Sequence, residues 1–372
     1  MKLKELTLFL DSAIPLALQE GYDNAGLQVG IPEKNIDSAL ITLDVTEEVV
    51  EEALNTGCDV IISHHPLIFK EIKSLSGKSM SERILFKTIK NDIAVYSAHT
   101  NLDVMDFGVS RKMAEKISLE NVRVLSPLKN RLCKLVTFVP ENHLDKVKEA
   151  IFKAGAGVIG NYDYCSFSTT GTGSFRAGEK TYPFVGEKGK THEEKEVRLE
   201  TILFSHVKKR VIDALIETHP YEEVAYDIYP LENDNIDIGP GCVGDLPEPA
   251  DEVDFLKSIS SLFSSKGIKH SKLRKERISR VALCGGAGSS LMYDAIASDA
   301  DVFVTADIKY HSYFEAENLI LLIDIGHYES EKASTEILYD LIVKKFPKFA
   351  VRFSEINTNP INYFEYGKNK GT

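Results

Sequence analysis

The chain has 372 residues, with 44 Lys and Arg against 56 Asp and Glu, a formal net charge of −12, 43% hydrophobic residues and no Trp. That length suits two or three domains, each able to close its own core, and the composition excludes a disordered or fibrous chain. Because the balance is acidic and no stretch gathers Lys or Arg, general capture of nucleic acid has no electrostatic footprint, and nucleic acid is not an expected partner.

The amino terminus reads MKLKELTLFLDSAIP, and Asp11 interrupts its apolar run before it reaches signal-peptide length. The longest apolar run elsewhere, LILLI at residues 319–323, is far short of the ~20 residues that span a bilayer. A cytoplasmic protein with no membrane partner is expected. Cys58, Cys133, Cys165, Cys242 and Cys284 form no Cys-x-x-Cys pair, which reads as buried free thiols.

Leu3, Leu6, Phe9 and Leu10 recur at helical spacing, and the turn-rich loop GYDNAGLQVG follows at residues 21–30. Asp23 and Asn24 in that loop either face a site or shape the turn. Residues 39–43 read as a strand, 46–56 as a helix capped by Thr46, and 59–63 as a second strand. A helix over 81–90 and a strand over 93–98 complete an α/β layer with a buried, mostly parallel sheet. The texture changes after Ser126. Strands at 136–140, 196–205 and 224–229 bracket helices at 143–154 and 208–218, which suggests a βαββαβ ferredoxin-like unit. The Gly/Pro-rich run NIDIGPGCVGDLPEPAD then reads as an exposed linker back to the parent domain.

The last third repeats the first. A strand at 278–283, the glycine loop CGGAGSS, a helix through Ile296 and a strand at 301–305 follow the same plan. NTGCDVIISHHP aligns with ASDADVFVTADI, placing Asp59 opposite Asp301, and NDIAVYSAHTNLD aligns with ENLILLIDIGHYESE, placing His99 and Asp103 opposite His327 and Glu331. The fold class expected is α/β: duplicated, mostly parallel sheet units forming one metal-binding domain from residues 1–125 and 246–372, with an inserted ferredoxin-like α+β domain at 126–245.

Ligands bind beyond the carboxyl ends of parallel strands. Four such ends carry chemistry: His64 and His65; His99 and Asp103; Asp307 and His311; His327 and Glu331. Adjacent histidines on extended backbone point to opposite sides, which suits two neighbouring ions, and a helix starting at His327 turns His327 and Glu331 to one side. The set His64, His65, Asp103, His327 and Glu331 suits Zn, Mn, Fe or Ni, and two such ions ~3.5–4 Å apart form a hydrolytic pair that a carboxylate such as Glu331 can bridge. His99 and His311 are the candidates for proton transfer, with a supporting role for a neighbouring metal ligand an equal reading for each; for His311 and His219 a bond to a backbone carbonyl, or such a supporting role, is the favoured reading. The glycine loop either cradles an anion or makes a tight strand-to-helix turn.

GYDNAGLQVG, SHHPLIFK, AHTNLDV, TADIKYH and GHYESE, in this order, resemble the Ngg-one-interacting factor three (Nif-three-like) dinuclear-metal proteins, often labelled GTP cyclohydrolase one type two homologues. The central segment, with VRLE and HPYEEVAYDIYPL, is similar to the CutA/PII-like domain of the longer bacterial members. Tyr22 stands where many members carry Trp, and Ala306 where Gly is common; neither change removes a ligand. The resemblance implies His64, His65, Asp103, His327 and Glu331 as ligands of two divalent transition-metal ions per subunit (Zn, Fe or Mn) and a homohexameric toroid. It also implies a metal-dependent hydrolase acting on a nucleotide-like substrate, against the alternative of a regulatory or scaffold hexamer whose metals are structural or sensory.

Overall fold

In the computed structural model, which describes residues 1–233 and 237–364, helix α1 (Leu3–Ala13) buries Leu3, Leu6 and Leu10 on one face, as their helical spacing requires. Strand β1 (Gly26–Val29) closes the glycine-rich loop, and β2 (Ser38–Thr42), α2 (Glu47–Thr56), β3 (Val60–Ser63), α3 (Met80–Lys90) and β4 (Ala94–Ser97) follow. Thr46 caps α2 by accepting from the Val49 amide at 3.3 Å. Short α4 (Thr100–Asp103), α5 (Val109–Ile117) and β5 (Glu120–Val124) complete this part. A five-stranded sheet has the order β1-β4-β3-β2-β15, where β15 (Ala350–Phe353) comes from the far end of the chain; only the β1–β4 pairing is antiparallel. Its strands alternate between two cores. Ile41, Val60, Ile62 and Tyr96 pack with α1, while Leu40, Ile61 and Val95 pack with α2 and α3, the double-sided burial that makes such strands apolar throughout.

Residues 127–236 pack as a separate unit from Met1–Ser126 and Asp237–Thr372. Its elements run β6 (Leu132–Pro140), α6 (Leu144–Lys153), β7 (Ser166–Arg176), β8 (Thr191–Phe204), α7 (Lys208–Thr218) and β9 (Tyr226–Leu231), and the sheet order is β7-β8-β6-β9, all antiparallel. Leu135, Val139, Leu199 and Leu203 face α6 and α7 in its core. The sequence pattern misses β7, whose Ser, Thr and Gly residues are mostly exposed and show no apolar alternation.

The chain then forms β10 (Cys242–Asp251), α8 (Glu252–Phe263), β11 (Lys269–His270), β12 (Arg277–Leu283), α9 (Met292–Ala297), β13 (Val302–Thr305), α10 (Ser312–Glu315), β14 (Leu321–Asp324), α11 (His327–Glu331) and α12 (Ser334–Lys345). The expected boundary at residue 245 therefore moves. Cys242 and Val243, taken from sequence as part of an exposed linker, are buried in β10, which pairs with both β12 and β5; the first residues of that run, Asn235 and Ile236, lie outside the described residues. The six-stranded sheet β11-β14-β13-β12-β10-β5 is mixed, with only the β12–β13 and β13–β14 pairings parallel, so the mostly parallel expectation describes the first sheet alone. The two sheets share an arrangement: an antiparallel edge strand, then β4-β3-β2 in one and β14-β13-β12 in the other. Asp59 Oδ2 accepts from the amides of Asp37 and Ser38, and Asp301 Oδ2 from those of Ser279 and Arg280, at 2.7–3.1 Å.

Candidate metal centre

The chain emerging from β3 places His64 and His65 past the strand end, and the chain from β14 places His327 and Glu331 on the single turn of α11. The fold brings these together with Asp103 at the end of α4. His65 Nε2 lies 2.8 Å from Glu331 Oε2 and His327 Nε2 lies 2.9 Å from the same oxygen, with the two imidazole nitrogens 3.3 Å apart. His64 Nε2 sits 3.7 Å from that oxygen and 3.5 Å from Asp103 Oδ1. His64, His65 and Glu331 each present one donor atom, all within 4.8 Å of one another.

Every imidazole of the group is held from behind. His64 Nδ1 bonds the Ala98 carbonyl at 2.7 Å, His65 Nδ1 the Asp44 carboxylate at 2.7 Å, and His327 Nδ1 that of Asp307 at 2.7 Å. An Nδ1–H donated outward leaves the Nε2 lone pair facing the centre, the form in which imidazole ligates metal. His64 Nε2 and Asp103 Oδ1 are buried with no hydrogen-bond partner, a costly state unless something else satisfies them. Asp103 and Glu331 face this space and Asp23, Asp44 and Asp307 stand behind its histidines, so a divalent cation fits the donor set in type, orientation and charge.

The titration behaviour follows from the same contacts. Burial works against charge on His65, but hydrogen bonds to Asp44 and Glu331 outweigh it and raise the imidazole to about 10. His327 is likewise raised to about 9, burial being outweighed by Glu331 and Asp307. Burial alone would raise Glu331, yet hydrogen bonds from His327 and His65, with the His64 imidazole close by, hold it well below the usual carboxylate range. Asp103 is pushed up to about 7, first by burial, with the nearby Glu331 adding to it against the pull of His64.

His99 forms part of the wall. Its ring centroid lies 5.4 Å from those of both His64 and His65, and its Nδ1 bonds Asp23 Oδ1 at 2.8 Å. Asp23 also accepts from the Thr100 amide at 3.1 Å, so this residue both orders the loop and faces the site. Asn24 bonds the Ile68 carbonyl. His311 is elsewhere: exposed at the start of α10, it touches Tyr310 and Phe314 and makes no hydrogen bond to the cluster among the described residues. His219 bonds the Phe138 carbonyl at 3.0 Å. The five cysteines are free, and all but Cys165 are buried. The glycine loop serves as a tight turn. Gly286 has φ +61°, and a Cβ there would sit 2.0 Å from Glu331 Oε1, so the bare backbone makes room for that carboxylate. Asp44 was missed as a neighbour of the site, although it lies two residues past the end of β2, at the same edge of the sheet as His64 and His65.

Comparison with known proteins gives the family. The pattern of the family Duf34/NIF3 (NGG1p interacting factor 3) matches residues 1–360. Two relatives named GTP cyclohydrolase 1 type 2 homolog are similar over nearly their whole length: one from Bacillus subtilis, 39% identical over 359 residues covering 94% of this chain and 95% of the relative, and one from Halalkalibacterium halodurans, 38% identical over 354 residues with 94% and 95% covered. Among solved structures, a Bacillus cereus protein related to NIF3 superposes with a TM-score of 0.84 at 37% identity, covering 98% of this chain and 99% of that one. A Staphylococcus aureus protein follows at 0.77 and 30%, with the same coverage. With the whole length matched and the strand-end histidines gathered in one cluster, this chain belongs to the DUF34/NIF3 family.

Proposed function

We propose that this protein is a dinuclear metal-dependent hydrolase acting on a nucleotide-like substrate. The observation that carries the reading is the pair of buried, unpartnered atoms, His64 Nε2 and Asp103 Oδ1, beside two further imidazoles fixed at Nδ1 around Glu331. His64, His65, Asp103, His327 and Glu331 would hold two ions of Zn, Fe or Mn, with Glu331 serving both. What the ions supply when bound is Lewis acidity and an acidified water. His99, fixed by Asp23, is positioned to pass a proton at Nε2, which makes no hydrogen bond among the described residues. The nucleotide-like substrate rests on the names of the relatives.

The repeated sheet order and the matching Asp59 and Asp301 hydrogen bonds support a duplicated domain that shares its ligands between halves, with a ferredoxin-like insertion at 127–236. Among the described residues no helix is long and apolar enough to cross a membrane, and the working picture is a cytoplasmic homohexamer. The test is turnover by metal-replete protein against nucleotides and phosphoesters. Activity lost on chelation, restored by added metal and absent in His65→Ala supports the hydrolase. Full metal content with no turnover on any substrate of that class would replace it with the structural or sensory reading of the metals.

A further inference from the structure

The unit at 127–236 contains a cavity of about 640 Å³ that the metal chemistry does not use, a volume in the range of small-molecule sites. It lies on the face of the β7-β8-β6-β9 sheet opposite α6 and α7, since Phe138, Glu196 and Arg198 alternate with the core residues Leu135, Val139, Val197 and Leu199. The floor is bare backbone. Gly171 is the cross-strand partner of Glu196, and a Cβ on Gly173 would lie 2.0 Å from Glu196 Oε2. The walls are aromatic: the Tyr221 ring stands 6.2 Å from both Phe175 and Phe184.

Glu196 is only 8% exposed, unusual for a carboxylate on an open sheet face. Its Oε1 accepts the Tyr221 hydroxyl at 2.8 Å, while Oε2 accepts no hydrogen bond among the described residues. Arg198 does not neutralise it. That guanidinium lies over the Phe138 ring, 5.7 Å from its centroid, and donates from Nε to Glu200 Oε1 at 2.8 Å. Glu222 and Glu223 add acidic groups to the lining and Arg176 a basic one, so that three carboxylates face two guanidinium groups, and Glu222 already accepts the Tyr182 amide at 2.7 Å.

We propose that this cavity binds a small organic cation, an amine or amidine carried on an apolar or aromatic body. The negative faces of the rings and a buried carboxylate with one free oxygen both favour positive charge, and an N⁺–H donor would complete Glu196 with a charge-assisted hydrogen bond. The apolar walls take the body of the ligand.

The test uses the full-length protein and two probes of nearly equal shape, phenethylammonium and its neutral counterpart 2-phenylethanol. Calorimetric titration is expected to show the amine binding with a Kd of ~1 mM or tighter, and the alcohol at least about tenfold more weakly, as loss of a charge-assisted partner implies. Glu196→Gln should erase the difference between the probes while leaving the metal content unchanged, since Glu196 belongs to the other packing unit. Should that variant fail to fold, Phe184→Ala, a half-exposed wall residue, is expected to weaken the amine at least about threefold through loss of ring contact. Equal affinity for amine and alcohol, undiminished amine binding by both variants, or no binding of either probe overturns the proposal. A changed oligomer mass in Glu196→Gln, with no response to amine in either protein, overturns it in favour of a contact between copies of the chain.

Discussion

At the cluster, one oxygen, Glu331 Oε2, lies within 3.7 Å of three imidazole nitrogens that come from opposite ends of the sequence. Glu331→Gln keeps the volume but removes the charge shared by both proposed sites. Purified variant protein should lose most of both ions by elemental analysis, and a full complement would remove Glu331 from the bridging position. Asp44 acts through His65, holding its Nδ1, and is itself held by Thr358 at 2.6 Å. Asp44→Asn should weaken metal affinity by about 10–100-fold, the usual effect of losing such a support, measured by competition with a chelator. The strand-end histidines are visible in sequence because their spacing from apolar runs is local. Asp44 and Asp307 become supports only through contacts 21 and 20 residues away, which no local pattern encodes.

Elements set these side chains by where they stop. Strands β3 and β14 deliver His64, His65 and His327 at their carboxyl ends, and the glycine turn after β12 leaves space for Glu331. Gly286→Ala puts a methyl group against the carboxylate and forces a side chain into φ +61°. It should therefore reduce metal content by more than half while the far-ultraviolet circular dichroism stays native, the backbone strain being of order 1 kcal/mol. Helix α3 offers a pH-dependent case away from the cluster. Glu82 Oε2 accepts from the amides of Ser76 and Lys78 and from the Ser76 hydroxyl, which lowers its carboxyl to about 2. A depressed acid contributes stability above its unfolded value of 4.5 and loses it as pH falls toward about 2. The urea midpoint of wild type should exceed that of Glu82→Gln near neutrality, and the gap should shrink on acidification; a gap that widens would contradict the assignment.

For the whole molecule, the geometry at the edges of the 127–236 unit suggests a direct experiment. The Leu125 amide donates to the Gly241 carbonyl at 3.1 Å and the Ser126 amide to that of Pro240 at 3.3 Å, so the flanking chain is already paired where the unit leaves and returns. Replacing residues 127–236 with a short Gly/Ser linker should leave a folded protein with wild-type metal content, because the excised unit supplies none of the proposed ligands. Loss of soluble, metal-binding protein would show that the unit is integral to the first core. His65→Ala should keep the wild-type mass in light scattering, proposed above to be that of a hexamer, because the clustered side chains all belong to one chain; dissociation on losing metal would favour metal-controlled assembly.

Helices α1, α2, α3, α6, α7 and α9 and the central strands of both sheets are legible in the sequence, since each buries an apolar face whose period is local, whereas α5, α8 and α12 are not placed by that pattern. The sequence by itself also determined the family, because five separated motifs keep their order. The tertiary structure alone decided the elements whose partners are distant. Gly26–Val29 is a strand because it pairs with β4, Cys242–Asp251 because it lies between β12 and β5, and Ser166–Arg176 because β8 runs beside it. Gly, Pro, Ser and Thr carry no periodic signal there, and the hydrogen bonds that make these segments strands come from residues far along the chain. The meeting of His64 and His65 with His327 and Glu331, more than 260 residues apart, is of the same kind: a local pattern supplies the donors, and only the packing of two sheets sets the distances between them.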